Sequence, residues 1–101
     1  MEEIYNDIAE IAIIENVNTS LCVCKLFEEC GELAQAVNMT QGMKNTDKTQ
    51  EEIKDLILEE SVDVIQNIIC IAQKFGITYE DILSKFPIKN QKWRRRIANK
   101  K

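Results

Sequence analysis

Histidine is absent from all 101 residues. That excludes serine and cysteine triads, histidine-bearing zinc sites and the paired histidines of helical zinc peptidases. Any chemistry must come from carboxylates, lysine, arginine, cysteine or hydroxyls. Proline occurs once and glycine three times, too few for collagen, a flexible linker or a turn-rich β sandwich. No apolar run approaches the ~20 residues of a membrane span. The opening Met1-Glu2-Glu3 is acidic where a signal peptide is basic. The expectation is a single cytoplasmic domain over residues 1–101, with no membrane partner and a modest core that leans on a second subunit.

What is present is unevenly charged. All 17 acids lie in residues 1–84, with only Lys25, Lys44, Lys48, Lys54 and Lys74 against them. Residues 85–101 carry Lys85, Lys89, Lys92, Arg94, Arg95, Arg96, Lys100 and Lys101 and no acid. Such a segment suits a nucleic acid, its own acidic body, or a phosphate held there by metal. The four cysteines, Cys22, Cys24, Cys30 and Cys70, include no C-x-x-C pair. They read as reduced, buried, small hydrophobes.

Helical periodicity runs through the chain. Residues 2–15 form a first helix with Ile4, Ile8 and Ile11 beside Tyr5 and Ala12. Asn18, Thr19 or Ser20 caps a second, from about 20 to 40, whose apolar positions are Leu26, Phe27, Cys30, Leu33, Ala34 and Val37. A polar connection spans residues 41–48. Thr49 and Glu52 make a capping box that opens a third helix to about Phe75, closed by Gly76. From Val62 to Ala72 this helix is apolar nearly all round and reads as largely buried. Thr78 caps a fourth helix, which Pro87 should interrupt or restart, with the basic stretch 88–99 helical again. No alternating segment bounded by turn residues suggests a hairpin. The fold class is therefore all-α, an antiparallel bundle of four to five helices with the second and third as its central pair.

That central pair carries the chemistry. Glu29-x-x-Glu32 on one helix and Glu60-x-x-Asp63 on the other are i, i+3 pairs, so each emerges on one face. The pairs stand about 14 and 18 Å from the connecting loop at ~1.5 Å per residue. An antiparallel hairpin brings four acids to one level, where they repel unless protonated or bridged by a cation. The matching ion is hard and oxygen-seeking, Mg²⁺ with Mn²⁺ as substitute. A solvated acidic stripe is the competing reading. It is disfavoured by Asp63 lying between Val62 and Val64 on an apolar helix. A di-iron site would need histidine.

The segments Lys25-Leu-Phe-Glu-Glu-Cys-Gly-Glu-Leu-Ala34 and Glu59-Glu-Ser-Val-Asp-Val-Ile65, with Gly76-Ile-Thr and the Lys92 to Arg96 cluster, resemble MazG-type all-α nucleoside triphosphate pyrophosphohydrolases. The resemblance extends from about residue 20 to the end. It implies Mg²⁺-dependent cleavage between the α and β phosphates, giving a nucleoside monophosphate and pyrophosphate, in a house-cleaning role. Glu29, Glu32, Glu60 and Asp63 would hold metal, and Glu28 or Glu29 would serve as general base. Lys89, Lys92 and Arg96, at i, i+3 and i+7, would meet phosphate. Phe27, Asn67 and Trp93, with Tyr5, are candidates for the base pocket. The resemblance also implies a homodimer or homotetramer that completes its site with a neighbouring subunit, and an unbroken last helix, from which Pro87 departs. Trp93 and Ile97 are expected to pack the tail onto the bundle.

Two other functions compete. One is a phosphoribosyl-ATP pyrophosphohydrolase on the same fold. The other is a non-enzymatic nucleic-acid-binding or regulatory module using the basic tail, disfavoured by overall acidity and by the absence of aromatics interleaved with the basic residues.

Overall fold

A computed structural model describes residues 1–41 and 47–100, so the expected polar connection lies largely outside the described residues. Four helices follow in order: α1 (Glu2–Glu15), α2 (Thr19–Thr40), α3 (Gln50–Lys74) and α4 (Tyr79–Ala98). No strand occurs among the described residues. No helix is long and apolar enough to cross a membrane among the described residues.

The ends of the helices follow local chemistry. Asn16 ends α1 in the left-handed region at φ 52°, a conformation asparagine tolerates better than most residues. Asn18, among the three expected candidates, caps α2 by accepting from the Leu21 amide at 2.9 Å. Thr49 and Glu52 form the expected box on α3. Thr78 forms a second box with Asp81 on α4. Gly76 takes φ 69°. Its amide bonds the Gln73 carbonyl at 3.2 Å while the Ile77 amide reaches the Ala72 carbonyl at 3.1 Å, the paired closure of a Schellman motif.

The core is the antiparallel α2–α3 pair, with α1 laid on α3. On α2 the buried residues are Cys22, Glu29 and Ala36, seven apart, with Leu26 and Leu33 half-buried between them. On α3 Ile53, Leu56, Glu60, Asp63, Asn67 and Cys70 recur at alternating steps of three and four, every one buried or half-buried. This is a two-helix seam of coiled-coil type. The apolar face expected on α2 is therefore misplaced by part of a turn. Phe27 is 73% exposed, and Cys30, Ala34 and Val37 also face outward. The cysteines divide likewise: Cys22 is buried and Cys70 half-buried, while Cys24 and Cys30 are exposed, contrary to the expectation that all four are interior.

Tyr5 anchors α1 to the start of α4. Its hydroxyl donates to the Ile77 carbonyl at 2.8 Å, and its ring lies 5.8 Å from that of Tyr79. Beyond that point α4 meets no other helix among the described residues. It runs unbroken through Pro87, so the expected interruption does not occur. Pro87 lacks only the amide that would bond the Leu83 carbonyl, and Leu83 is exposed, so water can satisfy that carbonyl. Trp93 and Ile97 do not pack the tail down; they are 59% and 49% exposed.

The result is open. The radius of gyration is 16.6 Å, against about 13 Å for a compact domain of this length. The surface is 8083 Å², where a compact monomer of this size shows about 5,900 Å². Val62, Ile65 and Ile68 stay 45–49% exposed, so α3 is not covered all round by its own chain as its composition suggests.

Candidate functional site

At the middle of the α2–α3 seam, carboxylates replace the apolar residues that such a seam prefers. Oxygens of Glu29, Glu60 and Asp63 lie within 4.8 Å of one another, as do those of Glu28, Glu29 and Glu32. Glu29 belongs to both groups and is only 9% exposed. Glu60 and Asp63 are half-buried, while Glu28 and Glu32 are exposed at the rim. All four acids of the two i, i+3 pairs, with Glu28, thus come together at one level.

Two oxygens there, Glu29 Oε2 and Glu60 Oε2, are enclosed and have no hydrogen-bond partner. An enclosed carboxylate oxygen without a donor is costly. Burial raises the Glu29 pKa, Glu32, Asp63 and Glu28 raise it further, and Lys25 alone opposes them. Burial also raises Glu60, followed by the close Glu32 carboxyl and by Asp63 and Glu29. The cluster therefore either holds protons above the ordinary carboxylate range or gathers a cation. Its donor set is all oxygen, which suits a hard divalent ion.

A cavity of about 390 Å³ opens beside these acids. Ile8, Ile11, Ala12 and Glu15 line it from α1, Lys25 and Glu29 from α2, and Asp63, Gln66, Asn67 and Cys70 from α3. Asn67 is buried, and its Nδ2 donates to the Asp63 backbone carbonyl at 2.9 Å. Asn67 is the one base-pocket candidate that the fold puts beside the carboxylates. Phe27 points outward, Trp93 is on α4, and Tyr5 is a structural anchor. Lys25, Gln66 and Cys70 line the cavity without having been expected there. Lys25 lies one turn before Glu29, and Gln66 and Cys70 lie one and two turns past Asp63.

Lys89, Lys92 and Arg96 do share one face. They line a shallow groove of about 770 Å³ on α4 with Ile77, Phe86 and Trp93. That groove is larger than the carboxylate cavity but contains none of its acids, and no residue of α4 lines the cavity. Within one chain the expected metal ligands and the expected phosphate ligands are therefore apart.

No protein-family model matches this chain, and no solved structure matches it. A stretch of 62 residues is 39% identical to the uncharacterized protein YvdC of Bacillus subtilis (strain 168), covering 57% of this chain and 58% of that protein. The chain thus spans little more than half the length of this relative, whose name carries no activity.

Proposed function

We propose that the chain is a Mg²⁺-dependent nucleoside triphosphate pyrophosphohydrolase, releasing a nucleoside monophosphate and pyrophosphate, and that it works as a homodimer or homotetramer. The observation that carries this reading is the pair of enclosed, partnerless oxygens of Glu29 and Glu60 among further carboxylates. A core seam keeps such groups at a cost to folding, and cation binding offsets that cost.

In this reading Glu29, Glu60 and Asp63 hold the ion, with Glu32 completing the set from the rim. Bound Mg²⁺, or Mn²⁺ in its place, supplies positive charge to phosphate oxygens and acidifies a water. Glu28, exposed beside Glu29 and Glu32, accepts the proton of the attacking water. Lys25 faces the cavity from one turn before Glu29 and neutralises phosphate charge. Asn67, its Nδ2 already engaged, turns Oδ1 to the nucleoside.

Lys89, Lys92 and Arg96 act on the triphosphate from a neighbouring copy, because α4 of the same chain does not reach the carboxylates. The open surface supports this assembly. It exceeds that of a compact monomer by about 2,200 Å², the scale of an obligate interface.

The test is pyrophosphate release from each NTP and dNTP, with dUTP, in Mg²⁺ and then in EDTA. Metal-dependent product that disappears in Asp63→Ala is the expected result. No turnover of any nucleotide, together with a melting temperature indifferent to Mg²⁺, would overturn the proposal. A second reading draws on α4, where Phe86 and Trp93 share the groove with Lys89, Lys92 and Arg96. Aromatics among cations suit single-stranded nucleic acid. That reading requires steeply salt-dependent binding that survives Asp63→Ala.

A further inference from the structure

Two turns from the acids, the same seam brings two thiols together. Cys22 of α2 and Cys70 of α3 stand 3.6 Å apart, Sγ to Sγ. Their register mirrors the acids: Cys22 is seven residues before Glu29 and Cys70 seven after Asp63. Cys22 is 3% exposed, and its thiol lies 3.7 Å from the Val17 carbonyl, to which it donates. A thiol has one hydrogen, so Cys70 is then the donor between the two sulfurs. Cys70 is half-buried and lines the wall of the carboxylate cavity, which makes it the sulfur that a small molecule can reach. Cys24 and Cys30 face outward on α2 and take no part.

We propose that Cys22 and Cys70 are a thiol–disulfide modification site, which a small-molecule disulfide of the glutathione class oxidises to a covalent link between α2 and α3. A disulfide needs sulfurs ~2.05 Å apart, so the two, at 3.6 Å, must close by about 1.5 Å. Cys70 Sγ, as thiolate, attacks one sulfur of the small disulfide, and the other sulfur departs with the bonding pair and takes up the proton that Cys70 gave up. Cys22 Sγ then attacks the Cys70 sulfur of the mixed disulfide. It expels the second small thiol, which carries away the Cys22 proton. Two protein thiols are oxidised and one small disulfide is reduced to two thiols. Burial raises the Cys70 pKa, Cys22 adds to this, and Lys74 one turn on opposes it, so little thiolate forms at neutral pH and the first attack is slow. The link would tie the two helices that carry the acids, closing the loop between residues 22 and 70. It does not depend on the nucleotide reading.

The experiment treats Cys24→Ser/Cys30→Ser protein with oxidised glutathione, then counts thiols and maps peptides by mass without reductant. The expected result is loss of both remaining thiols, no retained glutathione, a peptide joining Cys22 to Cys70 within one chain, and a melting temperature higher by about 10 °C. Two free thiols, glutathione retained on Cys70, or links only between chains would overturn the proposal. Should the double variant fail to fold, the wild-type peptide map decides, since the Cys22–Cys70 link must appear there in preference to any pairing of Cys24 or Cys30. These outcomes are read by mass, so they are independent of whether nucleotides are cleaved.

Discussion

Glu29 is a carboxylate in a position that its helix otherwise fills with Cys22 and Ala36. Substituting it separates folding from function. Glu29→Gln keeps the shape and removes the charge that burial and three neighbouring acids oppose. The metal-free variant should melt a few degrees higher than wild type at neutral pH and, under the proposed function, lose most of the Mg²⁺-induced rise in melting temperature and the pyrophosphohydrolase activity. Scanning calorimetry with EDTA and with Mg²⁺ measures the first two. The pH dependence has a defined sign. Glu29 and Glu60 both have folded pKa values raised above the model-peptide value of 4.5, so between that value and the raised one the native state binds more protons than the unfolded chain. The stability they contribute is complete below the unfolded value and is lost as pH rises through the folded one. In EDTA the melting temperature should therefore fall as pH rises above about 5, and saturating Mg²⁺ should flatten the decline. A melting temperature that rises with pH over this window in EDTA would contradict the arrangement of the acids.

At the scale of the element, the Thr49–Glu52 box, the Thr78 cap and the Gly76 closure were legible because each depends on residues a few positions apart, whereas the part of Asp81 in a second box was missed. Thr49→Ala should cost about 1 kcal/mol, read as a lower urea midpoint with unchanged slope. The rotation of α2 was not legible. Phe27, Cys30, Ala34 and Val37 make a more apolar stripe than Cys22, Glu29 and Ala36, and hydrophobic periodicity selects the richer stripe. The seam lies on the side of Cys22, Glu29 and Ala36, which puts Glu29 opposite Glu60 and Asp63, a relation between segments thirty residues apart that periodicity within one helix does not carry. The carboxylate constellation itself was visible as two i, i+3 pairs within one turn of the same height above a connection, whereas its enclosure was not. Pro87 failed as a helix breaker for a physical reason. A missing amide ends a helix where the orphaned carbonyl is buried, and Leu83 lies open to water on α4. Pro87→Ala should restore that bond and stabilise α4 by about 1–3 kcal/mol, seen as greater helicity by far-ultraviolet circular dichroism and later thermal loss of signal.

For the molecule as a whole, charge and apolar surface point the same way. The acidic body, α1 to α3, leaves Ile11, Leu58, Val62 and Ile65 uncovered, and the basic α4 leaves Phe86, Ile88, Trp93 and Ile97 uncovered. Each has what the other lacks, yet among the described residues α4 meets only α1. The chain contains a single tryptophan, Trp93, midway along the cationic stretch of α4, so its fluorescence reports on this helix alone. In an assembly where α4 packs on another copy, Trp93 emission should be blue-shifted at high protein concentration and move red on dilution, in step with a fall in sedimentation coefficient. Trp93→Ala should shift that midpoint to higher concentration by roughly 30-fold, equivalent to about 2 kcal/mol for a buried aromatic anchor. Lys92→Glu/Arg96→Glu, opposing acids with acids, should weaken assembly further at low salt than at high salt. Red emission at every concentration from a sedimenting monomer would instead mean that α4 stands free, and its groove would then have to be filled by something other than this chain.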